Sequence, residues 1–305
     1  MLKAVHLPPE VAAALRDGRA VVALESSVLA QGLPEPSNRE ADRRMRAAIR
    51  ARGAVPAITA VVRGVPAAGL DDADLERFLA RSGIAKVSAR DIPWSMVRGS
   101  DGATTVAAAL CLCARAGLPV FATGGIGGVH RVSSGVASDE SADLLELSRS
   151  SVVTVCAGAK SILDLRATVE RLETLGVTVV GFRTDEFPGF FTAHTGLPVS
   201  AVADSAGDLA AAFLANRSLG RPGALLVVQP PPAAAALDSL IVDEAVSQAL
   251  AAASSARISG ARLTPFLLAE VERATGGRSL AANIALLEAN AALAAEIAVA
   301  LTDSR

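Results

Sequence analysis

The chain has 305 residues, 51% of them hydrophobic, enough for a substantial core, which excludes disorder over most of its length. Charged residues make up 20%, and 29 Lys and Arg against 31 Asp and Glu leave a formal net charge of −2, so there is no electrostatic footprint for nucleic acid or an anionic membrane. Lys3, His6, Pro8, Pro9 and Glu10 interrupt any signal-peptide core. Apolar stretches such as residues 103–113 fall short of the about 20 residues a membrane span needs, and the C-terminal alanine-rich tract contains Glu288 and Glu296. The expectation is a soluble, cytoplasmic protein. Its cysteines, Cys111, Cys113 and Cys156, fit no common zinc spacing and read as reduced core residues.

In chain order, residues 21–24 form an apolar run ending at Glu25, and Ser37 or Asn38 caps a charged helix reaching to about residue 52. Residues 57–62 and 65–70 flank Arg63-Gly64 and predict a hairpin, hence at least one antiparallel pair. Asp71 and Asp72 open a helix to residue 79, and residues 85–88 make a strand. Residues 102–116 read as a buried helix, and 119–123 as a strand running into Gly124-Gly125-Ile126-Gly127-Gly128. Then come a helix over 139–148, a strand over 152–156, and one helical face marked by Ile162, Leu165, Val169, Leu172 and Leu175. Strands at 177–181 and 224–228 enclose a helix over 208–219, and helices at 237–257, 264–274 and 279–301 complete the chain. This alternation predicts an α/β fold, three-layer α/β/α, with a mixed, mainly parallel sheet. No composition break divides it, so residues 1–305 read as a single domain, with Pro230-Pro231-Pro232 in an internal loop.

In such folds ligands sit at the C-terminal ends of strands. Glu25 follows a buried strand directly and is either a general acid with a raised pKa or an exposed loop carboxylate. Only three of the 29 cationic residues are lysines, Lys3, Lys86 and Lys160, which draws attention to a lysine kept in an apolar segment. Lys160 closes Val155-Cys156-Ala157-Gly158-Ala159-Lys160, and Ser161 reads as the N-cap of the next helix. Poor solvation and a helix N-terminus would favour the neutral amine of a Schiff-base nucleophile; the alternative is a lysine paired with phosphate or a carboxylate. The four-glycine run, followed by His130 and Arg131, is either a phosphate cradle of bare N–H groups or a structural turn. Asp139, Ser141 and Asp143 suit Mg²⁺ or Mn²⁺ that keeps several waters, or simply cap a helix. Asn283 either reads the amide edge of a base or bonds within the core. Residues 184–188 read as a structural turn, and His6 and His194 as surface residues. These features also suit a sugar or nucleoside kinase, or a non-catalytic nucleotide-binding oligomer.

Taken together, Ala23-Leu24-Glu25-Ser26-Ser27, Lys86-Val87-Ser88, Gly102-Ala103-Thr104-Thr105-Val106-Ala107, the run from Thr123 to Arg131, Ser141-Ala142-Asp143, Cys156-Ala157-Gly158-Ala159-Lys160-Ser161, Thr264-Pro265-Phe266-Leu267-Leu268 and Gly276-Gly277-Arg278-Ser279-Leu280-Ala281-Ala282-Asn283 resemble the pseudouridine-5'-phosphate glycosidase family, also called the indigoidine synthase A family. The resemblance runs from about residue 10 to about residue 300. It implies a metal-dependent homotrimer of α/β/α fold that interconverts pseudouridine 5'-phosphate with uracil and ribose 5-phosphate, a small-molecule reaction without nucleic-acid or membrane partners. Carried over by motif, Glu25 is the proton donor, Lys160 the covalent nucleophile, and Asp139 the ligand of one Mn²⁺ per subunit. Lys86, the Val106 N–H, Ser141, Ala142 and Asp143 contact substrate, with Thr123 and His130 on the phosphate side and Asn283 on the uracil side. Glu140, and Gln31 where a histidine is common, depart from the family pattern. A C-glycoside has no heteroatom leaving group, so the paired-carboxylate solution of ordinary glycosidases gives poor help. An amine at C1' and an acid at the base carbon supply the alternative.

Overall fold

The computed structural model describes residues 5–131, 139–258 and 263–304. The chain opens with α1 (Pro9–Arg16), β1 (Val21–Leu24), a single π-helical turn (Val28–Gly32), α2 (Ser37–Arg50), β2 (Val55–Val62) and β3 (Val65–Ala68). Next come α3 (Asp72–Leu79), β4 (Ala85–Val87), α4 (Ile92–Arg98), β5 (Gly102–Thr104), α5 (Val106–Ala116), β6 (Val120–Ala122) and β7 (Val129–His130). Then follow α6 (Ala142–Leu147), β8 (Val153–Cys156), β9 (Leu163–Asp164), α7 (Leu165–Thr174), β10 (Thr178–Phe182) and β11 (Ala201–Ala203). The chain ends in α8 (Ala206–Ser218), β12 (Leu225–Val228), α9 (Ser239–Ser255), α10 (Leu263–Ala274) and α11 (Arg278–Asp303).

Ten strands make one sheet in the order β11-β10-β12-β8-β6-β1-β2-β5-β4, with β3 also paired to β2. Every neighbour from β11 to β2 is parallel, whereas β3 and β5 run antiparallel to β2, so the sheet is mixed and mainly parallel as expected. The β2–β3 hairpin turns at Arg63 and Gly64, both at positive φ, as the sequence predicts. Every residue of β1, β8 and β12 is buried, which is why these strands read as continuous aliphatic runs rather than alternating ones.

The crossover from β1 to β2 carries α2, and that from β6 to β8 carries α6, in the opposite direction along the sheet. Right-handed crossovers therefore put α2 and α6 on opposite faces and leave a crevice at the C-terminal ends of β1 and β6. On the α2 face α11 packs against α2, α8 and the central strands; α5 packs with α6 on the other. Helix α11 is long and apolar enough to cross a membrane by composition alone, yet it is a core helix: Glu288 pairs with Arg44 of α2 and Glu296 with Arg52 in the turn that follows α2.

Three expectations are corrected. Helix α2 starts at Ser37 behind Pro36 with no side-chain cap, and the Asn38 amide donates to the Leu29 and Leu79 carbonyls, so neither Ser37 nor Asn38 caps it. Residues 102–104 form strand β5, paired to β2 and β4, and the helix begins only after Thr105, whose hydroxyl caps it. Ser161 is no N-cap: α7 starts at Leu165 under Asp164, which accepts the Ala167 N–H at 2.9 Å, and β9 lies between. Lys160 therefore does not sit at a helix N-terminus. The cysteines are free; burial pushes the Cys113 thiol far up and that of Cys156 to about 12, so both are inert core groups.

Candidate active site

The pairing of Leu24 with Ala122 sets the next residues, Glu25 and Thr123, side by side at the ends of β1 and β6. Glu25 is only 7% exposed. Its Oε1 accepts the Thr123 hydroxyl at 2.5 Å and its Oε2 accepts the Ser27 hydroxyl at 2.6 Å, so the carboxyl plane is held from both sides. The Thr123 carbonyl accepts Nδ2 of Asn290 at 2.8 Å, and the Asn290 Oδ1 accepts Nε2 of Gln229 at 2.9 Å. Next to Glu25, the Thr104 hydroxyl bonds the hydroxyls of Ser26 and Thr59, and the Ser26 hydroxyl donates to the Thr59 carbonyl, tying the ends of β1 and β5 to the middle of β2.

Lys160 is placed by a backbone ledge that prolongs the β6–β8 pairing. The N–H of Ala157 donates to Gly124, that of Ile126 to Gly158, and that of Lys160 to Ile126. Gly158 lies at φ +81°, where a Cβ would come within 1.9 Å of the Pro188 carbonyl oxygen, so only glycine fits. Lys86, the middle residue of β4, reaches the same cavity. It is open to that cavity, yet burial pushes its ammonium pKa below the ordinary lysine value, and nearby Lys160 pushes the same way against Glu25 and Asp143.

The glycine run is packed rather than bare. The N–H groups of Ile126, Gly127 and Val129 donate to Gly158, Asp143 and Thr168, so they are not free for phosphate. A Cβ at Gly127 would lie 2.3 Å from the Ser141 hydroxyl oxygen, and one at Gly128 2.3 Å from that of Thr168. Of the two sequence readings, the structural turn describes this segment. Asp143 is its staple: Oδ1 accepts the Ala107 N–H at 2.9 Å and Oδ2 the Gly127 N–H at 2.8 Å, which fixes the N-terminus of α5 against the run.

All the residues expected at the site line two adjoining cavities that share Glu25, Ser27, Lys86, Lys160 and Thr264. Val106, His130, Asp139, Ser141, Ala142 and Asp143 line the polar one. Thr123 and Asn283 line the other, whose remaining wall includes Val28, Phe190, Pro265 and Leu268. One end thus suits a sugar phosphate and the other a planar ring. The turn over residues 184–188 is structural, with the Glu186 carboxylate accepting the N–H groups of Thr195 and Gly196, and His6 and His194 are on the surface.

Among the described residues no group of three or more His, Cys, Asp or Glu converges. Asp139 has its side chain 66% exposed, with His130 Nε2 4.0 Å from its Oδ2. Glu140 pairs with Arg171 at 2.9 Å, and both oxygens of Asp143 are engaged. An ion that keeps most of its water needs only one or two carboxylates, so Asp139 is the donor that fits such an ion.

Sequence reasoning missed Ser27 and Asn290. Ser27 stands two residues beyond Glu25, the spacing at which a turn brings a hydroxyl back to a carboxylate. Asn290 is seven residues from Asn283, hence on the same side of α11, and is the buried amide that fixes the Thr123–Gly124 corner.

Fold and site together define a layered α/β enzyme whose crevice joins a buried carboxyl to a lysine amine. The chain matches the family described as indigoidine synthase A like protein over residues 10–300, and it belongs to that family. It is 62% identical over 290 residues to a protein of Gemmatimonas aurantiaca named pseudouridine-5'-phosphate glycosidase, covering 95% of this chain and 94% of that one. A protein of the same name from Herpetosiphon aurantiacus is 50% identical over 98% of each chain. Among solved structures, the prealnumycin C-glycosynthase AlnA in complex with ribulose 5-phosphate superposes with a TM-score of 0.90 at 39% identity, covering 99% of this chain and 98% of that one. An indigoidine synthase A-like protein of Thermotoga maritima gives 0.89 at 35%, covering 98% and 97%.

Proposed function

We propose that the chain is a pseudouridine-5'-phosphate glycosidase, reversibly cleaving the C–C glycosidic bond to give uracil and ribose 5-phosphate. The observation that carries this reading is the presence in one cavity of Lys160 and of Glu25, its carboxyl clamped by two hydroxyls. The names of the relatives and the sugar phosphate bound by the C-glycosynthase point the same way.

Nζ of Lys160 attacks C1' through its lone pair; the N–C1' bond forms as C1'–O4' breaks and O4' takes a proton. The nitrogen lone pair then forms the C1'=N double bond while the C1'–C5 bond breaks. Its electron pair passes into the pyrimidine, and Glu25 delivers a proton to C5. Water hydrolyses the imine to ribose 5-phosphate and the free amine, and solvent reprotonates Glu25. Lys86, the Val106 N–H, His130, Ser141 and Ala142 hold the sugar phosphate, and Asn283 faces uracil. Thr123 spends its hydroxyl on Glu25, so it positions the acid rather than the phosphate, and Asp143 acts through the backbone it staples. Asp139, with His130 beside it, would hold one Mn²⁺, which supplies positive charge for the sugar phosphate when bound. The subunits assemble as a homotrimer.

The test is to mix protein, Mn²⁺ and pseudouridine 5'-phosphate and follow free uracil. Stoichiometric uracil and ribose 5-phosphate are expected; no release across a range of divalent ions would overturn the reading.

A further inference from the structure

Two side-chain carbonyls in the ring-binding cavity have no hydrogen-bond donor among the described residues: Oε1 of Gln31 and Oδ1 of Asn283, both buried. Gln31 lies on the π-helical turn just beyond Ser27, and its Nε2 donates to the Ile84 carbonyl at 3.1 Å. That bond fixes which end of the amide is nitrogen, so the carbonyl end is the one left unpaired. Asn283, from α11, lines the same cavity as Gln31, with Phe190 and Leu268 among the apolar walls. A buried acceptor without a donor is costly, and two of them on residues that line one cavity call for a ligand with two donors.

Resting on the glycosidase reading, we infer that Gln31 and Asn283 form a specificity pair whose carbonyls accept the two ring N–H groups of a carbon-linked pyrimidine. A uracil joined to ribose through carbon carries hydrogen on both N1 and N3. A uracil joined through N1 carries it on N3 alone and leaves one acceptor unpaired. The site thereby selects C-glycosides over N-glycosides by hydrogen bonding to the base, separately from the chemistry at C1'. Buried polar groups that lose their partner in the wrong ligand give strong rejection, far more than an apolar wall gives against a methyl group.

The test compares kcat/KM for pseudouridine 5'-phosphate and its N1-methyl and N3-methyl derivatives in the wild type, Gln31→Leu and Asn283→Leu. The wild type should lose at least about tenfold on methylation of either nitrogen, the loss of one hydrogen bond to a buried acceptor. Each variant should be slower on the parent substrate, lose the penalty at one nitrogen and keep it at the other. Both penalties persisting in both variants would overturn the pair, as would a wild type indifferent to methylation. A wild type that cleaves none of the three substrates contradicts the glycosidase reading instead. Should a leucine variant fail to fold, binding of uracil, 1-methyluracil and 3-methyluracil to the wild type decides the matter: weakening of at least about tenfold by each methyl is expected, and equal affinities would overturn the pair.

Discussion

Glu25 and Lys160 divide the reaction between a proton and an electron pair, and substitutions separate the two tasks. Lys160→Arg keeps a long basic side chain but has no amine able to add to C1', so turnover should fall by at least about 10⁴-fold with the melting temperature little changed. Appreciable steady-state activity in that variant would contradict covalent catalysis. Glu25→Gln keeps the shape and the Ser27 and Thr123 contacts yet has no acidic proton, so turnover should fall by about 10²–10⁴-fold while substrate binding persists. Lys86 predicts a pH effect. Its pKa is lowered by burial, so its positive charge is lost as pH rises earlier than that of an ordinary lysine. If that charge holds phosphate, kcat/KM should decline on this alkaline limb, and Lys86→Arg should flatten the limb; an unchanged limb would remove Lys86 from the phosphate. At this scale the sequence was informative where a reactive group ends a buried strand, as at Glu25, or is rare for its chain, as at Lys160. It was silent on Asn290, because a polar residue inside an alanine-rich helix declares its partner only once the Thr123–Gly124 corner is packed against it.

The glycine run and α6 act as one element, stapled by Asp143. Gly127→Ala forces a Cβ to within 2.3 Å of the Ser141 hydroxyl oxygen and 2.8 Å of Asp143 Oδ2, which should cost about 1–3 kcal/mol, read as a lowered melting temperature. Asp143→Asn turns an amide NH₂ toward one of two backbone N–H groups and should cost a similar ~1–3 kcal/mol. Stabilities equal to wild type in both would mean that the staple does not fix the loop. Long periodic helices and aliphatic strands were legible in the sequence. Short β5 was not: three residues give no period, and Gly102-Ala103-Thr104 continues the small-residue pattern of α5, so the strand exists only because β2 and β4 flank it. The glycines were legible as a motif but not in their purpose, since close packing and phosphate binding both ask for residues without side chains.

At the scale of the whole molecule, the sheet order places β1, β6 and β8 side by side, and that neighbourhood alone brings residues 25, 123 and 160 into one crevice. Chelation should abolish turnover and Mn²⁺ should restore it, with Asp139→Ala needing at least about tenfold more metal; a metal titration identical to wild type would move the ion elsewhere. Sedimentation should report a trimer of the 30.9 kDa chain, and a single species of chain mass would contradict that assembly. The central claim is that the sugar becomes covalently bound to one lysine. Intact-mass and peptide analysis after borohydride treatment, in the presence of ribose 5-phosphate, tests it most directly. The mechanism predicts a single reduced ribose 5-phosphate adduct located on Lys160 and absent from Lys160→Ala; an unmodified protein, or an adduct confined to Lys86, would contradict it.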